Sequence, residues 1–148
     1  MTPSRILPDL QCALLCEDVR QEINGNLILL GVTRALRIPQ APITANKLCV
    51  FTTWTAGLGD FQECVRVVAP DQTTVLREAK MKFVLRDPAH NAANVSYMMQ
   101  LEFKTDGVYF IEVLVDDVMK LRFPVPVVVV PPPQPPGQPA AAAPKEGA

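Results

Sequence analysis

Asn94-Val95-Ser96-Tyr97-Met98-Met99-Gln100-Leu101-Glu102-Phe103-Lys104 is the stretch that decides the fold class. Val95, Tyr97, Met99, Leu101 and Phe103 alternate with Ser96, Met98, Gln100, Glu102 and Lys104. A period of two, rather than the roughly 3.6 of a helix, describes a strand with one face in a core and the other outside it. The same period recurs on both sides. Before it, Val75, Ala79, Met81, Phe83 and Leu85 stand opposite Glu78, Lys80 and Lys82. After it, Tyr109, Ile111, Val113 and Val115 share one side, and Met119, Leu121, Phe123, Val125 and Val127 follow with Lys120 and Arg122 outward.

The residues between these runs are turn formers. Pro70-Asp71-Gln72-Thr73 suits a type I turn, Thr105-Asp106-Gly107 supplies a reversal, and Asp116-Asp117 sits where a tight hairpin is needed. Upstream, Leu10 to Cys16, Leu27 to Ala35, Leu48 to Thr55 and Phe61 to Val68 are β-rich, and Asn24-Gly25 is a hairpin signal because both residues tolerate positive φ. Cys16 to Glu22 reads as a short turn, and no segment carries an apolar stripe at helical spacing. The expectation is an all-β domain over residues 1–130. Its architecture would be an antiparallel two-sheet β-sandwich of about eight strands, immunoglobulin-like or C2-like. Pro124 and Pro126 cannot donate ladder hydrogen bonds, so the last strand is expected at an edge. Residues 131–148, PPPQPPGQPAAAAPKEGA, hold no large apolar side chain and read as a disordered proline- and alanine-rich tail.

Composition narrows the chemistry. Fourteen Lys and Arg balance 15 Asp and Glu to a net charge of -1, so no basic excess is present to meet a nucleic-acid backbone or an anionic membrane. A single histidine, His90, and only Ser4 and Ser96 among serines leave few groups from which nucleophile, base and acid are assembled. The apolar run Val125 to Val130 is far shorter than the roughly 20 residues of a membrane span. Pro8 and Asp9 interrupt the place where an export signal would have its apolar core, so a cytoplasmic chain is expected. Cys12, Cys16, Cys49 and Cys64 form no CxxC pair and read as small buried hydrophobes.

The stretch Cys16-Glu17-Asp18-Val19-Arg20-Gln21-Glu22-Ile23-Asn24-Gly25-Asn26, running on to Leu30-Gly31-Val32, resembles the opening of a family of small, mostly bacterial proteins classed as a domain of unknown function. Members begin with a strand ending in Cys-Glu/Asp-Asp-Val-Arg, then a Glu, an Asn-Gly-Lys turn and a strand ending in Ile-Gly-Val. Gly107 to Asp117, followed by Pro124, is similar to that family's closing hairpin, and Asn26 stands where the family has Lys. The resemblance implies the fold and implies no activity.

Several constellations remain. Glu17, Asp18, Arg20 and Glu22, with the Asn24-Gly25 turn, crowd charge between two apolar strands. They read as a lock in which Arg20 forks onto a carboxylate and fixes hairpin register. Asp60, Asp71, Asp106, Asp116 and Asp117 would form a calcium site only if the loops gathered them, and Asp is common in turns for its own local hydrogen bonds. No motif places Cys49 or Cys64 beside His90 as a thiol dyad. Asn94-Val95-Ser96 matches a glycosylation triplet but lies inside a strand, and Trp54, on the face of Leu48, Val50 and Thr52, reads as core. The expected function is non-catalytic, without cofactor or metal: protein contact or self-association through a sheet face or edge. Met98, Phe110 and Leu114 are expected on outer faces. The alternative is a C2-like domain that takes calcium or a small ligand on its loop aspartates.

Overall fold

In a computed structural model, residues 4–131 are described, so the expectation for the tail lies outside the described residues except at Pro131. The chain is all-β and runs through β1 (Asp9–Cys16), β2 (Asp18–Gln21), β3 (Leu27–Leu30), β4 (Leu36–Ile38), β5 (Ile43–Thr55), β6 (Gly59–Val68), β7 (Val75–Leu85), β8 (Asn91–Phe103), β9 (Gly107–Val115) and β10 (Val118–Val129). Among the described residues there are ten strands, not eight. The expected turn from Cys16 to Glu22 is instead the strand β2, which pairs with β3 in a two-stranded arm, and β4 is a further short strand.

Two larger sheets enclose the core, one of three strands in the order β1-β5-β8 and one of five in the order β4-β10-β9-β6-β7. Leu15, Val50, Trp54, Met98 and Phe103 come from the first sheet, and Phe61, Val65, Phe83, Ile111 and Val113 from the second. Trp54 stacks on Phe83 with ring centroids 5.6 Å apart, and Phe103 meets Tyr109 edge-on at 5.1 Å, both arrangements that the ring quadrupole favours. Every named strand pair is antiparallel except β4 with β10.

The turns follow from the residues at them. Asp116 and Asp117 both take positive φ, 46° and 66°, as a two-residue hairpin of mirror type requires. Asp71 accepts hydrogen bonds from the Thr73 and Thr74 amides and the Thr74 hydroxyl, which holds its carboxyl down at about 2. At the arm's tip Gly25 has φ 94° and the Asn24 side chain accepts from the Asn26 amide at 2.9 Å, in line with the Asn-Gly signal. Pro124 and Pro126 lie on a strand that is not wholly an edge. β4 pairs with it only at Val127–Val129, past the prolines, so the side that lacks donors is open where the prolines stand.

Alternation in the deciding stretch breaks once. Asn94, Ser96 and Met98 are buried, and so are Leu101 and Phe103, while Tyr97 and Met99 are exposed. Met98, expected outside, is therefore core. The switch falls at Gln100, which adopts φ 54°, and β5 changes phase at the same level. Ile43 and Ala45 pack on the core before Asn46, and Leu48, Val50, Thr52 and Trp54 after it. Asn46 and Gln100 face each other between the Ala45–Leu101 and Lys47–Met99 pairs, their side chains 3.5 Å apart. Each strand carries one residue out of phase, and the two offsets cancel, so the register is kept. A second irregularity, between Met119 and Leu121 in β10, leaves both of those residues exposed where the alternation put them inside.

Candidate interaction surface

Three polar or apolar groupings stand out, and they differ in what they leave unsatisfied. The first is internal. The period of β6 points Phe61, Glu63, Val65 and Val67 into the core, and Glu63 is 0% exposed. The Thr52 hydroxyl and the Trp54 indole N–H each donate to its Oε2 at 2.5 Å, and the Asn94 amide donates to Oε1 at 3.5 Å. Burial raises the Glu63 pKa, and the three donors pull against it without cancelling it. The cluster is enclosed by core side chains, so it reads as a satisfied polar knot. Sequence reasoning missed it, although an acid at an inward position between Phe61 and Val65 was a visible signal.

The outer face of the five-stranded sheet is charged and paired. Arg66 lies 3.0 Å from Glu78 and 3.7 Å from Glu112, Arg122 lies 3.7 Å from Glu112, and Lys80 lies 3.5 Å from Glu78. The ladder runs across β7, β6, β9 and β10. The Arg122 guanidinium also covers the Phe110 ring at 4.2 Å. Phe110 is thereby half-buried, and Leu114, expected outside, is 4% exposed between Cys64 and Met119 on the neighbouring strands.

The outer face of the three-stranded sheet is the opposite case. Residues paired across strands share a face, and the pairings build successive rows: Cys12, Thr53, Ala93; then Leu14, Phe51, Val95; then Cys16, Cys49, Tyr97; then Lys47 and Met99. Lys47 is the one ionised group in these rows. Asp9, Thr55 and Asn91 bound them at one end, and Thr44 and Glu102 at the other. Tyr97 and Met99 are each 49% exposed. The Thr53 hydroxyl is buried with no hydrogen-bond partner among the described residues. Apolar residues therefore line both sides of this sheet, which is why Cys12 to Cys16 and Leu48 to Phe51 read as nearly continuous apolar runs.

The β2–β3 arm joins this face at its Tyr97 end. Asp18 accepts from Lys47 Nζ at 2.8 Å, and that bond, with one from the Val19 amide, holds its carboxyl below the usual range while raising Lys47. Arg20 sits 3.7 Å from Asp18 with its side chain 70% exposed. Arg20, expected to fork onto a carboxylate, instead makes one long, exposed contact with Asp18, and the short bond to Asp18 comes from Lys47 of β5. Glu17 crowds Gly31, whose φ of 66° suits glycine, and Glu22 is exposed beside the turn. Arg20→Ala is expected to change stability by less than about 0.5 kcal/mol. Lys47→Ala, by leaving the arm's base unpaired, should cost measurably more in a thermal melt.

Burial pushes the Cys16 thiol up to about 11 and raises Cys49 and Cys64 as well, the reverse of an activated nucleophile. His90 is exposed in the turn after β7, its amide bonded to the Asp87 carbonyl at 2.9 Å. The aspartates do not gather. Asp116 caps the Gln62 amide and pairs with Arg5 at the Asp60 end of β6, whereas Asp71 and Asp106 lie by the turns at its other end. Among the described residues, no group of three His, Cys, Asp or Glu side chains is placed to hold a metal. No helix among them is long and apolar enough to cross a membrane.

A family model for a family of unknown function, DUF6941, matches residues 11–128. No curated protein matches the chain.

Proposed function

We propose, for a chain that belongs to this family of unknown function, a role exerted by contact and not by catalysis. It is a β-sandwich module of immunoglobulin-like or C2-like kind, working in the cytoplasm, that holds another protein surface against its three-stranded sheet. The observation that carries this is the uncharged patch of Cys12, Leu14, Phe51, Ala93, Val95, Tyr97 and Met99 bounded by polar residues. A contiguous apolar face with a polar rim is what a docking surface needs, because it is where removal from water is gained without stranding a charge. On the opposite outer face Arg66, Lys80 and Arg122 are engaged by Glu78 and Glu112, and the chain as a whole carries a net charge of -1, which argues for a protein partner over nucleic acid.

A photo-reactive residue tests the reading. Placed at Met99 in the full chain and activated in cells, it should yield protein adducts. The same residue at Val84, equally open at 45% exposed but on the charged side of the other sheet, should yield few. Equal labelling at both positions, or none at Met99, would remove the three-stranded face from consideration.

A further inference from the structure

We infer that the occupant of the three-stranded face is a second copy of this chain, stacked about a two-fold axis that crosses the strands above Leu14, Phe51 and Val95. The inference rests on the contact reading above and adds the identity of the partner.

The face is built in relief. Tyr97 and Met99 project at one end, where the arm's base also stands over Cys16 and Cys49, both 0% exposed. At the other end the rows hold Cys12, Thr53 and Ala93, which are small. A two-fold axis laid across the strands over the middle row carries each strand onto its own counterpart in reverse. Tyr97 of one copy then stands over Ala93 of the second, Cys49 over Thr53, and Met99 over Asn91. High meets low, in both halves at once, as an isologous interface demands. Lys47 faces Thr55, so the ionised group meets a neutral hydroxyl residue rather than its like.

Size fits a modest dimer. Three strands at ~4.8 Å and eight residues at ~3.3 Å make a face of about 14 Å by about 26 Å. With the arm ends added, two copies would bury roughly 1,000 Å², the lower bound of specific interfaces. An area this small belongs with weak, transient associations, so dimerisation is expected to depend on concentration. A partner of strong charge finds nothing to recognise here, because Lys47 is already held by Asp18.

Sedimentation velocity on the full chain, from about 1 to 500 µM, reads the outcome. The expected result is a monomer-to-dimer transition in this range. Ala93→Asp and Tyr97→Lys should each weaken it at least about tenfold by placing an unpaired charge in the seam. The double variant A93D/Y97K should recover most of the loss, because each introduced ammonium would meet an introduced carboxylate of the other copy. Val84→Asp should leave the transition unchanged. A chain that stays monomeric throughout, or a dimer indifferent to positions 93 and 97, overturns the inference. Adducts at Met99 to other proteins in a chain that never dimerises would keep the contact reading and discard self-association, whereas silence in both experiments ends both.

Discussion

Glu63→Ala is expected to destabilise the protein by about 3–5 kcal/mol, a large share of the roughly 5–15 kcal/mol that holds an ordinary domain folded. The indole N–H of Trp54, the hydroxyl of Thr52 and the amide of Asn94 would all lose their acceptor inside a dry core, and the missing side chain leaves a hole beside the Trp54–Phe83 stack. Glu63→Gln should stay within about 1 kcal/mol of the parent, since Oε1 can take the two strong donors and the Asn94 amide can turn to accept.

The pair of variants also separates charge from shape. Glu63 has a folded pKa raised by burial above its reference value of 4.5. Below that reference the carboxyl is protonated whether folded or not, so it adds no pH dependence there. As pH climbs towards the raised value, the unfolded chain gains from ionising and the folded chain does not, so stability is lost across that interval and is level above it. Chemical denaturation from about pH 4 to about pH 8 should show this decline in the parent and not in Glu63→Gln. A parent profile parallel to that of the glutamine variant would mean the acid is ionised without penalty.

Deleting Gln100 alone is the second large effect. The residue shares its level with Asn46, and removing one of the two offsets leaves the other uncompensated. Leu101 would then face Asn46 and Phe103 would face Thr44, moving both from core to solvent. Losing those two buried side chains costs about 4–5 kcal/mol. Deleting Asn46 as well restores regular alternation in both strands, so the double deletion should melt well above either single one. If the two deletions simply add, the offsets are not coupled.

That paired offset also explains what the chain's letters could and could not reveal. The period of two is correct along β7 from Ala79 and along β9, where Tyr109, Ile111, Val113 and Val115 all face the core. In β8 the period is right on each side of Gln100 and cannot be continuous through it, because alternation has no memory across a residue with positive φ. Unbroken alternation therefore sets Met98 outside and Tyr97 inside, the reverse of the structure. It misplaces Leu114 for another reason: the outer face of a central strand is covered by its neighbours' side chains, here those around Cys64, and alternation reports direction, not depth. The arm is legible at its Asn24-Gly25 tip, while its true clasp is not, since Lys47 lies 29 residues from Asp18 and no local spacing connects them. The apolar outer face is equally hidden, because it exists only once β1, β5 and β8 lie side by side.

The open flank of β10 has a bearing on crowded solutions. A strand from a neighbouring molecule that slid along Phe123 to Pro126 would find no amide hydrogen at Pro124 or Pro126, and a backbone zipper cannot grow past two missing teeth. Lateral pairing on that flank is thereby starved of its template at Pro124 and Pro126.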